Sequence, residues 1–184
     1  MNLHNLLRRA ESFRAADKPA GVLADVAGKV VRHEKVAAFL RGAWLGHPTH
    51  PLLVTVPIGA WVSAAVLDLT GQRSAARQVL GLGLATVPAA VLAGLADYAD
   101  LNPTQRRVAT THAATNTIAT TLVVSSFVSR CQNRHVTGAV LNAIALTATS
   151  VGGALGGHLA YAQSAGVRRY NPPFVRRPEP AAAS

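Results

Sequence analysis

The stretch LGHPTHPLLVTVPIGAWVSAAVLDL, residues 45–69, decides how this chain is built. From Leu52 to Leu69 the only charged residue is Asp68, at the far end. An apolar run of that length forms a helix able to cross about 30 Å of hydrocarbon. Two His-Pro pairs stand directly in front of it. Pro51 suits the first helical position, where its missing N–H has no partner to lose. His47 and His50 therefore sit at the doorstep of a membrane helix, either capping it among the headgroups or facing something inside the protein.

Working outward, three further runs are nearly free of charge: 78–96, 108–129 and 136–161. Arg77, Asp97, Arg106, Arg107, Arg130, Arg134 and Arg168 mark their ends. A soluble bundle of this size needs a polar face on each helix, and these segments lack one. The expected fold is all-α: a four-helix transmembrane bundle over 44–167, preceded by a basic segment (1–43) and followed by a basic Pro/Ala-rich tail (168–184). Mean hydropathy is only +0.24 because the basic ends dilute the apolar centre.

In the first segment Leu3, Leu6, Leu7, Ala10 and Phe13, then Val22, Leu23, Val26 and Val30, recur at roughly helical spacing among Lys and Arg. Such an amphipathic segment is expected to lie on an anionic membrane surface. No cleavable signal peptide is expected, since the charges begin at Arg8 with no apolar core before them.

Four crossings put both termini and the 97–107 loop on one side, here side A. Of the 18 Lys and Arg residues, only Arg73, Arg77, Arg130 and Arg134 fall on side B. The excess of positive charge predicts that side A, with both termini, is cytoplasmic, in a multi-pass protein of the inner or plasma membrane. Topology and lipid headgroups account for the net charge of +10, and no nucleic-acid module accompanies it. Cys131 is the lone cysteine, so cysteine-based metal clusters and intramolecular disulfides are excluded.

Threaded this way, the chain brings candidate ligands to side A from every segment. His47 and His50 precede the first helix, Asp97 and Asp100 end the second, His112 begins the third and His158 lies near the end of the fourth. His112, Asn116 and Thr120 form a stripe at i, i+4, i+8. Gly152, Gly153, Gly156 and Gly157 permit close approach of a helix or a flat cofactor. Polar groups at membrane depth are costly and face the bundle interior, which makes these residues the expected site. His112 and His158 are the expected axial ligands of a haem b, with His47, His50 and Asn116 beside them. A bare metal ion would instead draw on His47, His50, His112, His158 and Asp97. His135, on side B, is outside the set.

The segments WLGHPTHPLLVTVPIGAWVSAAVLDL, LAGLADYAD, RRVATTHAATN and LGGHLAYAQSAGV together resemble a bacterial four-helix membrane family, domain of unknown function 2231. The resemblance covers roughly residues 40–167. The segment AYAQSAGVRRY departs from the family pattern, which runs more directly into a Gly-Val-Gly-Val end. Membership implies a multi-pass membrane protein without an established activity. Some members are joined to Rieske-type iron–sulfur domains, and the architecture is similar to four-helix haem b cytochromes. For this chain the resemblance implies a cofactor-bearing electron-transfer subunit, inactive by itself, whose iron–sulfur or other redox partner is a separate protein. The alternatives are a scaffold or assembly subunit and a small permeation or proton-relay module; each is compatible with a homo-oligomer.

Overall fold

A computed structural model describes residues 3–166 of the chain; the basic tail expected at 168–184 lies outside them. Among the described residues every regular element is helical. α1 (Leu3–Glu11), α2 (Asp17–Val30) and α3 (Glu34–Arg41) precede the bundle. α4 (Thr49–Leu53) runs on into α5 (Thr55–Leu69), and α6 (Arg73–Tyr98), α7 (Pro103–Cys131) and α8 (His135–Gly157) follow. A wider turn, His158–Ala162, extends α8.

Local chemistry explains the boundaries. The break between α4 and α5 falls where Pro57 has no N–H to offer the Leu53 carbonyl. α7 opens on a capping box in which Asn102 Oδ1 accepts from the Gln105 N–H and Gln105 Oε1 from the Asn102 N–H, with Pro103 at the first helical position. The turns into α6 and α8 need a left-handed residue, supplied by Gly71 (φ 74°) and Asn133 (φ 61°).

The bundle is apolar outside and small or polar inside. Leu52, Val62, Val66, Leu82, Val91, Val140 and Ile144 are exposed, whereas Ala64, Ala76, Ala93, Ala145, Ser126 and Asn142 are fully buried. In water that distribution would be inverted; in lipid, small interior residues let helices approach closely. Three helices are long and apolar enough to cross a membrane: Thr49–Leu69, Arg73–Tyr98 and His135–Ala162. Only 17%, 28% and 33% of their apolar windows are buried in the protein, so most of that surface faces outward. The sequence predicts four such helices. α7 has the length, but its Ser and Thr residues keep it below the apolar level of the other three.

α5 packs mainly on α6 and α7 mainly on α8, giving two helical hairpins; α6–α7 and α5–α8 contacts join them. The hairpins share a 62-residue offset. α6 begins at Arg73 and α8 at His135, and the left-handed turn residues Gly71 and Asn133 share the same offset of 62 positions, as do Asp68 and Arg130. The buried positions Pro57, Trp61 and Ala64 match buried Ala119, Val123 and Ser126. Ala76, Leu80, Gly83, Ala90, Ala93 and Ala96 match buried Gly138, Asn142, Ala145, Gly152, Leu155 and His158. Side-chain identity has largely diverged while the pattern of burial has not.

The N-terminal helices pack on the side A end. Ala27 of α2 is buried against Tyr98 and Ala109, and the Tyr98 hydroxyl donates to the Ala20 carbonyl at 3.2 Å. Val22, Phe39 and Trp44 remain exposed.

Candidate functional site

His50 lies in the first turn of α4, which starts after the N-cap residue Pro48. Its Nδ1 is 2.9 Å from the carbonyl of Ala90 in α6, and its ring lies where a Cβ on Gly94 would be, 3.0 Å from ring atoms. His112, in the third turn of α7, repeats the arrangement in the second hairpin. Its Nδ1 is 2.8 Å from the Gly152 carbonyl of α8, and its Cε1 would be 3.0 Å from a Cβ on Gly156. A carbonyl oxygen only accepts, so Nδ1 carries the proton in both rings, and Nε2 is the nitrogen left to act as a ligand in the neutral form. The ring centroids are 6.3 Å apart with planes at 81°.

Asn116, one turn below His112, places its Nδ2 against the imidazole, 3.1 Å from Nε2 and 3.3 Å from Nδ1, and its Oδ1 fills the notch at Gly152. Of the four α8 glycines noted in the sequence, Gly152 and Gly156 are therefore used by Asn116 and His112. Gly153 and Gly157 have open space at their Cβ positions.

The other sequence candidates go elsewhere. His158 is buried, and its Nε2 meets Glu11 Oε1 of α1 at 2.7 Å. That hydrogen bond holds the Glu11 carboxyl below its ordinary range, against the opposing effect of burial; Gln163 and Arg8 add to the lowering. His47 is exposed and lines a surface depression with Leu45, Pro51, Leu52 and Thr55. Asp97 lies in the last turn of α6, and Asp100 pairs with Arg41 at 2.7 Å. Among the described residues no three His, Cys, Asp or Glu side chains come together to hold a metal ion. What converges is His50, His112 and Asn116.

Ion pairs tie the N-terminal helices down around this end of the bundle. Arg107 grips Asp17 through Nε at 2.6 Å and Nη2 at 3.1 Å, holding the Asp17 carboxyl below its usual range, and it also donates to the Glu11 carbonyl. With the Arg41–Asp100 and His158–Glu11 contacts, α1, the start of α2 and the end of α3 are each fastened to the bundle.

Sequence reasoning missed the polar group at the side B end. Arg130 is fully buried and forms two 2.6 Å hydrogen bonds to Asp68, joining the two hairpins; its Nε donates to Ser126 Oγ at 3.2 Å. Both residues read as markers of helix ends, and only the 62-residue repeat reveals them as equivalent. Asn142 of α8 is also fully buried, and its Nδ2 donates to the Trp61 carbonyl at 3.0 Å. Its Oδ1 and Trp61 Nε1 have no hydrogen-bond partner among the described residues.

The family described as "Predicted membrane protein (DUF2231)" matches residues 46–169 of this chain, two thirds of its length. No curated protein and no solved structure matches it.

Proposed function

The chain belongs to the DUF2231 family of predicted membrane proteins, and we propose that it is a multi-pass membrane subunit holding an imidazole-bound transition metal, bare or as haem b iron, at side A. One observation carries this reading: two histidines from separate helices converge inside the bundle, each with Nδ1–H bonded to a backbone carbonyl. Ligating histidines almost always use their second nitrogen in this way, which fixes the tautomer and raises the basicity of Nε2. The residues fit such a group in their donor chemistry. Asn116 must release His112 Nε2 for it to bind. The bound metal would supply one-electron redox chemistry; the protein supplies ligands, orientation and an apolar shell.

The same reading takes α7 as the fourth crossing. Thr117, Thr121, Ser125 and Ser129 each donate to the carbonyl four residues back, at 2.8–2.9 Å, so their hydroxyls need no water. Ile118, Val124 and Val128 are exposed on the same helix. Both termini then lie on the cytoplasmic side of the plasma membrane, and Val22 and Phe39 of the basic N-terminal segment, with Trp44 just after it, rest at the lipid interface. The functional domain spans 44–167, and electrons pass to or from a separate iron–sulfur or other redox protein.

The test is a dithionite-reduced minus oxidised absorption spectrum of protein purified in mild detergent, with elemental analysis for iron, copper and zinc. Soret and α bands, or one metal per chain, support the reading. Neither, even after expression with added haem precursor and metal, overturns it. A second reading, a proton-relay module, draws on the unpartnered Asn142 Oδ1 and Trp61 Nε1 between the two polar ends of the bundle. Proton flux in vesicles lost on Asn142→Leu, in a protein free of metal, would favour it.

A further inference from the structure

The 62-residue offset that relates the hairpins also relates the two histidines and their carbonyl contacts, though not Asn116, whose counterpart is Val54. His50 corresponds to His112, the Ala90 carbonyl to the Gly152 carbonyl, and Gly94 to Gly156; each imidazole reaches a carbonyl 40 residues further on. These contacts match although the residues between them differ. Pro57 faces Ala119 in the comparison, Leu80 faces Asn142, and Asp68 faces Arg130. Two imidazoles, one from each hairpin, make matching backbone-carbonyl contacts and form a donor pair.

We propose that His50 and His112, one from each hairpin, are the two protein ligands of a single transition-metal centre, each bonding through Nε2. This rests on the reading proposed above and specifies its ligands. Geometry supports the pairing. The two ring centroids are 6.3 Å apart, so the imidazoles are direct neighbours across the two hairpins. Among the described residues His50 Nε2 has no hydrogen-bond partner, and His112 Nε2 meets only the Asn116 amide. His158 is committed to Glu11 and His47 lies at the surface, so neither belongs to the pair. Because the centre bridges the hairpins, its binding clamps α4 and α6 against α7 and α8. Binding to the folded state alone raises apparent stability.

The experiment titrates the full-length protein in detergent with hemin and, separately, with Cu²⁺. Binding is read by absorption and by electron paramagnetic resonance, and stability by thermal melting. The variants are His50→Gln, His112→Gln, His158→Gln and His47→Gln, since glutamine keeps a donor for the carbonyl and lacks the imidazole. The expected result is one ligand per chain for one of the two probes, with a melting temperature raised on binding. His50→Gln and His112→Gln should each weaken binding by at least about tenfold and abolish the thermal shift. His158→Gln and His47→Gln should stay within about twofold of the parent. Gly94→Ala and Gly156→Ala, which push on the two rings alike, should perturb the spectrum to a similar degree. Parent-like binding by folded His50→Gln or His112→Gln overturns the inference while leaving the broader reading intact. No binding of either probe by the parent protein overturns both.

Discussion

At the scale of single residues, the most consequential side chain outside the histidine site is Arg130. A guanidinium with no exposed surface is tolerable only because Asp68 takes both of its terminal nitrogens and Ser126 the third. Removing one partner of such a pair strands the other charge, typically at a cost of about 3–5 kcal/mol. Asp68→Asn and Arg130→Met should each lower the melting temperature in detergent far more than the Asp68→Leu/Arg130→Met double replacement does; equal losses for all three would mean that the pair contributes nothing specific. Glu11 gives a pH-dependent prediction. Its folded pKa lies below the ordinary 4.5, so the stability it contributes through His158 is fully present above that pH. It is lost as pH falls through the lowered folded value. Proteolysis of the α1–α2 region should therefore be slow at neutral pH and accelerate only below about 4.5, and Glu11→Gln should remove that dependence.

At the scale of elements, the apolar runs, the charged boundaries and the proline-set start at 48–51 were legible in the sequence because each reflects a local constraint. Two things were not. α7 reads as apolar when charges are counted, yet its Ser and Thr content sets it apart; their hydroxyls are satisfied by backbone carbonyls, which a residue count does not register. The hairpin repeat was hidden because its equivalent core positions exchange Trp for Val, Leu for Asn and Asp for Arg. Close helix contact within the first hairpin is itself testable. A Cβ on Gly83 would come 2.7 Å from the Ala60 Cβ and 3.2 Å from the Trp61 ring. Gly83→Ala should thus force α5 and α6 apart and destabilise by about 1–3 kcal/mol. The second hairpin already carries alanine at the equivalent position, Ala145, so Ala145→Gly should produce a smaller change; melting curves of both variants decide it.

At the scale of the whole molecule, the sequence placed a set of histidines and aspartates at one end of a membrane bundle, and the structure sorts that set. His50 and His112 meet because each reaches a carbonyl of the partner helix in its own hairpin, and the two hairpins pack side by side. His158, Asp100 and Arg107 belong instead to the fastening of the N-terminal helices. The sorting could not be read from spacing, since it depends on Glu11 and Arg41, which lie far away in the chain. Glycines decide it as well: Gly94 and Gly156 admit the two rings that pair. Topology offers an independent check at this scale, with a C-terminal reporter expected to be active in the cytoplasm and a periplasmic signal arguing for the opposite orientation. The most direct measurement is X-ray absorption at the edge of the proposed transition metal, recorded after loading the parent and His112→Gln. Two imidazole rings in the first shell of the parent and one in the variant are the predicted result; identical first shells in both would contradict the assignment of His50 and His112 as the ligand pair.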